Sequence, residues 1–365
     1  MVTTLLEVAV GFCALLTLHS FINVRFFFLA PDLQMRSTSS FDILIPARNE
    51  ESSIAGCVES AISQLDAGRS RILVFDDNST DETSRILQTF AHEQLEILTS
   101  NQNPPAGWLG KNWACNQLAE KSTAEYLVFL DADVILKPSA VSQAIGLMQK
   151  HSLDLVSPYP KQISKGILGH LIQPLLQWSW LTTVPLGIAR RSPRASFAVA
   201  NGQFLVVRRE AYLASGGHEG IKDKVLDDIE LLRLLLAHGY RGSVIDGTHL
   251  ANCTMYKDSQ ELIDGYSKSL WCAFGSPLGS IATVSFLLFV YVVPCLGFFN
   301  NNLQLALLGW TSGLAGRFVT DVKTGNRNIF AALLHPVSIV CFAYLNLVSW
   351  WRHKHDELFW KGRKL

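Results

Sequence analysis

The sequence has little charge for its length. Only 17% of its 365 residues are charged, and 31 basic side chains balance 31 acidic ones, so the formal net charge is zero. A neutral chain has no general attraction for nucleic acid, and the middle of this one has no block of Lys and Arg with interleaved aromatic residues. We therefore expect no nucleic-acid partner. The hydrophobic share of 48% excludes a disordered or collagen-like chain.

Cysteine pairs are also lacking. The seven cysteines are odd in number and widely spaced, and none belongs to a Cys-x-x-Cys motif. Three of them, Cys13, Cys295 and Cys341, lie inside apolar runs. This pattern argues against a disulfide framework or a zinc ribbon, and we expect reduced thiols with mostly structural roles.

Charge is nearly absent from four long apolar runs, which are residues 5–30, 280–299, 303–319 and 329–351. About 20 apolar residues in a helix cross the hydrocarbon core of a membrane. We predict an uncleaved N-terminal membrane anchor at 1–30 and C-terminal membrane helices at 277–351, followed by a basic tail at 352–365. The segment 31–276 between them is predicted to be one soluble domain.

The distribution of basic residues predicts the orientation. Arg25 and Arg36 follow the core of the first run and nothing basic precedes it, so the soluble domain is expected in the cytoplasm of a multi-pass protein of the inner (cell) membrane. The same rule conflicts with a full last span, because that span would put the basic tail outside. A re-entrant segment at His335-Pro336, or another run that does not span, would remove the conflict, and the sequence leaves both open.

Within 31–276 the pattern alternates apolar strands with amphipathic helices. A helix with buried positions up to Leu65 follows the first strand. The first four strands are predicted at residues 42–46, 71–75, 95–98 and 125–130. Buried strands that alternate with helices indicate an α/β fold with a doubly wound, mainly parallel, Rossmann-like sheet, whose ligand site lies at the carboxyl ends of the strands.

Acidic residues stand at two of these strand ends. Asp76 and Asp77 end the second strand, and Asp131 and Asp133 follow the fourth. Two carboxylates one residue apart can hold Mg²⁺ or Mn²⁺ and leave coordination positions for phosphates. Aspartate also occurs at strand ends in ordinary turns. Two acidic pairs at one edge of a sheet favour the functional interpretation.

Four motifs in order resemble those of family 2 glycosyltransferases with the GT-A fold. They are Pro46-Ala47-Arg48-Asn49-Glu50, Asp76-Asp77-Asn78-Ser79-Thr80-Asp81, Gly110-Lys111-Asn112-Trp113-Ala114-Cys115-Asn116 and Asp131-Ala132-Asp133. The resemblance implies a nucleotide-sugar donor, with Lys111 near its diphosphate and a metal on Asp131 and Asp133. The donor-binding residues that it implies are Pro46, Ala47, Arg48, Asn49, Glu50, Asp76, Asp77, Lys111, Asn116 and Asp131.

The second half of the domain is similar to the acceptor side of this family. The implied acceptor-side residues are Asn201, Gly202, Gln203, Gly217, His218 and Asp227. In the family the second acid of the pair Asp227-Asp228 is the catalytic base, so Asp228 is expected to take a proton and the transfer to invert the anomeric configuration. A carboxylate at a helix N-terminus also complements the helix dipole, which is the alternative for Asp228. His218 is expected to be a turn or acceptor-contact residue rather than the base.

The segment 163–190 is apolar and carries Trp178 and Trp180 between basic flanks. Such a composition suits helices that lie in the headgroup region and admit a lipid acceptor. These two tryptophans are therefore predicted acceptor-side residues. An ordinary buried helix pair is the alternative.

The acceptor is predicted from more distant similarities. Ser267 and Leu270 stand where processive synthases have the Gln and Arg of Gln-x-x-Arg-Trp, which favours a single transfer. The segments 265–268 and 360–363 resemble the branch that glycosylates carotenoids and related isoprenoid lipids. The resemblance implies transfer from a UDP-linked sugar to a hydroxyl or carboxyl group of such a lipid.

Other functions remain open at this point. A polyprenyl-phosphate glycosyltransferase, or one acting on a glycerolipid or ceramide, would share the donor site. A membrane protein that binds nucleotide-sugars without catalysis would keep it too, although the intact acids oppose this. A transporter or receptor would carry charges inside its spans, but Glu7, Arg25, Arg317 and Asp321 lie near run ends, where snorkelling explains them.

Overall fold

The computed structural model describes residues 2–32, 34, 36–64, 70–100, 102–326 and 328–364. Leu65, predicted to be buried, lies outside these residues. Among the described residues, eight strands form one sheet and a separate two-residue hairpin follows near the end of the chain. The strands are β1 Phe41–Ala47, β2 Ser70–Asp77, β3 Leu95–Ser100, β4 Tyr126–Leu130, β5 Val134–Leu136, β6 Leu155–Gln162, β7 Phe204–Arg208, β8 Gly242–Cys253, β9 Phe359–Trp360 and β10 Arg363–Lys364.

Helices occur before, between and after these strands. They are α1 Val2–Ile22, α2 Ile54–Ile62, α3 Thr83–Leu87, α4 Gly110–Lys121, α5 Ala140–Lys150, α6 Gly166–Ile172, α7 Leu175–Thr183, α8 Leu186–Ala189, α9 Arg209–Ser215, α10 Asp227–Ala237, α11 Ser259–Ala273, α12 Pro277–Tyr291, α13 Leu303–Lys323, α14 Ile329–Leu333 and α15 His335–Lys354. A π-helical turn, Asn23–Phe27, continues α1.

The chain divides into two compact units. The sheet unit consists of Phe28–Ile163 and Ile188–Thr254, and the helical unit consists of Met1–Phe27, Ser164–Gly187 and Met255–Leu365. The strand order is β3-β2-β1-β4-β7-β6-β8-β5. Strands β1 to β4 pair in parallel, as do β6 and β8, whereas β7 and β5 run antiparallel to their neighbours. The predicted α/β, mainly parallel fold is confirmed.

Strand direction brings distant loops to one edge of the sheet. Because β1, β2 and β4 are parallel neighbours, their carboxyl ends lie at the same edge. Strand β7 is antiparallel to β4, so its amino end meets the carboxyl end of β4, with Leu130 opposite Phe204. The backbone N–H of Asp131 continues this pairing by donating to the Gln203 carbonyl at 3.0 Å.

Two helices of the sheet unit share a core with these strands. Leu118 of α4 and Leu235 of α10 are fully buried in one cluster with Leu44, Leu73 and Leu127 of the central strands. This packing fixes the first turns of α4 and α10, which carry the predicted Lys111, Asp227 and Asp228.

The helical unit has its own core, which includes residues from α1, α6, α7, α11, α12 and α15. The segment 164–187 belongs to this unit because Leu171, Leu175 and Trp178 pack in that core. The division falls at residue 254, not at the predicted boundary of 276, because α11 places Leu262 and Tyr266 in the same core.

Two helices among the described residues are long and apolar enough to cross a membrane by length and composition. They are Val2–Phe27, with a mean hydropathy of 1.9, and Pro277–Phe299, with 2.3. Helix α13 has 21 residues and α15 has 20, but both are less apolar. The predicted run 329–351 is divided into α14 and α15, with Pro336 in the first turn of α15, where its missing N–H is tolerated.

Candidate active site

Lys111 connects two acidic segments at the carboxyl edge of the sheet. Its Nζ lies 2.9 Å from Oδ1 of Asp131, just after β4, and 3.2 Å from Oδ2 of Asp227, at the start of α10. Desolvation opposes the charge of Lys111, but the two carboxylates raise its pKa well above the ordinary value. The lysine is therefore charged and lies between two predicted site residues.

A cleft surrounds this group. Its lining combines the ends of β1 and β4, the loop before β7 and the first turns of α4 and α10. The lining residues are Pro46, Lys111, Cys115, Phe129, Asp131, Gly202, Leu205, His218, Asp227, Asp228 and Leu231. Predicted donor-side and acceptor-side residues thus line one cleft.

Asp228 is held in place by two backbone groups. The N–H of Gly202 donates to its Oδ2 and the N–H of Ile229 donates to its Oδ1, each at 2.8 Å. Burial, followed by the charge of Asp227, raises the pKa of Asp228 to about 7. A carboxyl group with this pKa is poised to exchange a proton near neutral pH. The contact with Gly202 means that Asp228 does more than complement the dipole at the start of α10.

Asp133 has an unmet hydrogen-bonding capacity. Its Oδ1 is buried and has no hydrogen-bond partner among the described residues. Burial, then the charges of Asp131 and Glu50, raise the pKa of Asp133 to about 7, and a hydrogen bond with Cys253 opposes this shift. A cation on Asp131 and Asp133 would satisfy the buried oxygen and relieve their repulsion.

The residues therefore fit a hard divalent cation, although they cannot enclose it. In the part of the chain that the structure describes, no three His, Cys, Asp or Glu side chains form a group that could hold a metal ion. Mg²⁺ is commonly held by one or two carboxylates together with water and substrate phosphates. Two aspartates match that arrangement and leave positions open for a diphosphate.

The loop before β7 is built from buried polar groups. The N–H of Asn201 donates to the Ser157 hydroxyl at 2.7 Å, and Asn201 Oδ1 accepts from the N–H of Gln203 at 3.0 Å. A Cβ on Gly202 would lie 3.1 Å from Lys111 Nζ and 3.4 Å from Asp228 Cβ. A side chain here would crowd the Lys111 ammonium and touch Asp228 at van der Waals distance.

His218 is a buried turn residue that closes the side of the cleft. Its N–H donates to the Tyr212 hydroxyl at 3.0 Å, and its Nδ1 lies 2.9 Å from the same oxygen. Burial lowers the pKa of His218 to about 4, so it is a weak base. Gly217 precedes it at φ 52°, where a Cβ would lie 2.5 Å from the Tyr212 ring.

The loops after β1 and β2 are tied to each other. Arg48 donates to the carbonyls of Asp77 and Asn78, and Asn49 Oδ1 accepts from the N–H of Thr80 at 2.8 Å. The N–H of Glu50 donates to the Thr83 hydroxyl at 2.7 Å. Two segments that carry predicted donor-binding residues thus form one connected surface beside Pro46 and Ala47.

Part of the chain matches the sequence model of a known protein family. Residues 42–213 match the model described as Glycosyl transferase family 2. The chain contains a family 2 glycosyltransferase domain. The match begins in β1, includes Lys111, Asp131 and Asp133, and ends before Asp227 and Asp228.

Named relatives match nearly the whole chain. The 4,4'-diaponeurosporenoate glycosyltransferase of Staphylococcus aureus strain bovine RF122 / ET3-1 is 24% identical over 348 residues, which are 89% of this chain and 88% of the relative. The protein of that name from strain USA300 is also 24% identical, over 345 residues that are 88% of this chain and 87% of the relative.

A solved structure of similar fold is the mannosyltransferase PcManGT from Pyrobaculum calidifontis in complex with GDP-Man and Mn²⁺. It is 16% identical, with a TM-score of 0.55, and the match covers 95% of this chain and 97% of the mannosyltransferase. This likeness confirms the predicted GT-A fold.

Two predicted donor residues of the family 2 domain make local contacts. Asp76 Oδ1 accepts from the N–H of Ser79 at 3.1 Å, and its other oxygen accepts from the Ser84 hydroxyl, so Asp76 stabilises the turn after β2. Asn116 donates to Glu120 one turn further along α4, at 2.8 Å. Donor roles for these two residues remain predictions.

Sequence reasoning missed Asn112, which positions the family 2 site. Its side-chain amide donates to the carbonyls of Ile221, Lys222 and Lys224 at 2.8, 3.2 and 3.0 Å. These bonds fasten the first turn of α4 to the segment that leads into Asp227. The available signal was its place in the third motif, directly after Lys111.

Trp178 and Trp180 lie in the helical unit and are only 2% and 8% exposed. The Trp178 ring packs edge-on against Tyr291 and His335, with ring centroids 5.2 and 4.6 Å apart. These contacts match the alternative of a buried helix pair better than side chains in the headgroup region. Their acceptor role remains a prediction.

The explanation of Arg317 and Asp321 by snorkelling was wrong. Both side chains are buried in the helical unit, at 0% and 1% exposure, with Arg317 Nε 2.9 Å from Asp321 Oδ2. Arg317 also donates to the Leu171 carbonyl at 3.3 Å. The pair is four residues apart on α13, so the two side chains meet inside the unit instead of reaching toward water.

Proposed function

We propose that this chain is an inverting glycosyltransferase that moves a sugar from a UDP-linked donor to a hydroxyl or carboxyl group of a membrane lipid, a carotenoid or related isoprenoid. One observation carries the proposal. In a family 2 domain, Lys111 joins Asp131 at the end of β4 to Asp227 at the start of α10, and Asp228 follows in the same cleft.

Asp228 is the proposed base for a hydroxyl acceptor. It takes the hydroxyl proton as the oxygen attacks the anomeric carbon, and the bond from that carbon to the diphosphate breaks on the opposite face. This single displacement inverts the configuration. The backbone bonds from Gly202 and Ile229 support the role because they fix the direction of the carboxylate.

A carboxyl acceptor changes what is required of Asp228. Lipid carboxyl groups are ionised at neutral pH, so such an acceptor attacks without losing a proton. Asp228 would then orient the acceptor, and its raised pKa would limit repulsion between two carboxylates. The need for Asp228 therefore distinguishes the two acceptor classes.

Lys111, Asp131 and Asp133 form the proposed diphosphate side. Asp131 and Asp133 would hold Mg²⁺ or Mn²⁺, which when bound neutralises the charge of the departing diphosphate. The half-exposed Lys111 ammonium supplies a further positive charge at this side of the cleft. Arg48, Asn49 and Asp77 are proposed to hold the base and ribose.

A lipid acceptor and a membrane location are supported by two independent features. The relatives in Staphylococcus aureus are named for a carotenoid-type carboxylate and match almost the full length of this chain. The helical unit contains two helices apolar enough to span a membrane. The proposal includes a cytoplasmic sheet unit, which is supported by Arg25 in the last turn of the first of these helices and by Arg36 after it.

The deciding experiment combines the full chain in membranes with UDP-glucose, UDP-N-acetylglucosamine or GDP-mannose and one acceptor at a time. The acceptors are a carotenoid carboxylic acid, a hydroxylated carotenoid, a polyprenyl phosphate and a ceramide. Mass spectrometry should detect one added sugar on a carotenoid from a UDP donor. A product only on polyprenyl phosphate or ceramide would replace the proposed acceptor, and nucleotide-sugar binding without any product would indicate a non-catalytic binding protein.

A further inference from the structure

Lys111 occupies the position of a cation at the proposed metal site. Its ammonium lies 2.9 Å from Oδ1 and 3.3 Å from Oδ2 of Asp131, one of the two proposed metal ligands. It also lies 3.2 Å from Asp227. A divalent ion that uses Asp131 must share the same oxygens with this ammonium, so the two cations oppose each other there.

The lysine can leave these partners. Its side chain is 36% exposed and carries a compact charge on a flexible stem. The absent side chain of Gly202 leaves space next to Nζ, since a Cβ there would stand only 3.1 Å away. A diphosphate in the cleft would offer the ammonium new anionic partners.

We propose that Lys111 makes metal binding depend on donor binding. Without a donor, Lys111 is bound to Asp131 and Asp227 and weakens the affinity of the acidic pair for a divalent cation. The donor's diphosphate draws Lys111 away and frees Asp131 for the metal. This inference rests on the proposed function, because it assumes a diphosphate donor and a metal on Asp131 and Asp133.

The exchange has a thermodynamic signature. If the nucleotide raises metal affinity by some factor, the metal must raise nucleotide affinity by the same factor. If Lys111 acted only as a nearby positive charge, its removal would raise metal affinity equally with and without nucleotide. If Lys111 moves from Asp131 to the diphosphate, its removal should raise metal affinity only without nucleotide. The coupling factor, which is the ratio of the two affinities, would then fall.

The test measures Mn²⁺ binding to the full chain in nanodiscs by electron paramagnetic resonance, with and without UDP or GDP. We expect nucleotide to tighten Mn²⁺ binding to the wild-type protein by about 5- to 150-fold. In Lys111→Met, Mn²⁺ binding without nucleotide should become tighter and the coupling factor should fall well below the wild-type value, to the part that comes from direct contact between the metal and the diphosphate. Asp227→Asn removes one of the two carboxylate partners of Lys111 and should give an intermediate factor.

Lys121→Met is the matched control, because it removes the same charge from the exposed far end of α4. It should leave both affinities as in the wild type. A coupling factor in Lys111→Met equal to that of the wild type would overturn the exchange and leave the proposed function standing. If the wild-type protein bound no Mn²⁺ even with UDP or GDP, both the exchange and the proposed metal site would be wrong.

Discussion

Two ion pairs of the same chemistry serve different ends in the two units. In the sheet unit, the side chains of Lys111 and Asp131 are 36% and 28% exposed, and Lys111 also pairs with Asp227. In the helical unit, Arg317 and Asp321 are 0% and 1% exposed and pair within one helix. Water can replace either partner of the first pair, whereas the second has no substitute once a partner is lost. The first can exchange ligands and the second can only hold structure.

The largest effect is expected at the partly exposed pair Lys111–Asp131, where a substitution should change activity and not stability. Asp131→Asn should abolish metal-dependent transfer, since it removes a charged ligand and a partner of Lys111. Its free energy of unfolding should change by only about 1 kcal/mol or less, because the ion pair is partly exposed and solvent screens it. Transfer rates and denaturant unfolding of the same preparation check both parts. Wild-type transfer by Asp131→Asn in the presence of a chelator would remove the metal from the proposal.

At the buried pair Arg317–Asp321, a substitution should lower stability. Arg317→Met leaves Asp321 as an uncompensated buried charge and should lower the free energy of unfolding by about 3–5 kcal/mol. The double variant Arg317→Met/Asp321→Leu should recover most of this loss, because no charge stays buried. Thermal unfolding of the variants in nanodiscs measures it. Equal stability of the wild type and Arg317→Met would show that water reaches Asp321 and that the pair is not buried as the structure has it.

Asp228→Asn should affect the two proposed acceptor classes differently. The amide keeps the size of the side chain but cannot take a proton, so transfer to a hydroxylated carotenoid should fall by about 10²-fold or more. Transfer to a carotenoid carboxylic acid should keep most of its rate. Nucleotide binding, measured by calorimetry, is the control and should be unchanged. An unaltered rate with the hydroxyl acceptor would point to Asp227 as the base.

The smallest effect is on pH dependence. The pKa of Asp228 is raised to about 7 by burial and by the Asp227 charge, and only the ionised form can act as a base. Transfer to a hydroxyl acceptor should therefore rise about tenfold from pH 6 to pH 8 and then level off. Initial rates at saturating donor measure this. The Asp228→Asn variant should lack the inflection; an identical profile in that variant would assign the titration elsewhere.

Local patterns were enough to predict half of the sheet. Strands β1 to β4 are short apolar runs that end in polar motifs, and their parallel pairing follows from the helices between them. The place of β7 between β4 and β6 could not be predicted in the same way, because pairing partners far apart in sequence leave no periodic signal.

The site was predictable as a set of residues but not as a set of contacts. Motifs identified Lys111, Asp131 and Asp227, yet nothing local states that one lysine reaches both acids, since α4 and α10 are brought together by the core. The pairing of Arg317 with Asp321 did have a local signal, their spacing of four residues. It was missed because the apolar run was ended at residue 319, whereas α13 continues to Lys323.

The late position of β7 in the chain affects how this protein is made. Strands β4 and β6 leave the ribosome before the strand that separates them in the finished sheet. During that interval their facing edges carry unpaired backbone groups, which are templates for association with other chains. These edges stay unpaired until residue 208 has emerged, and a chaperone or the membrane insertion machinery would protect the nascent protein by covering them at that stage.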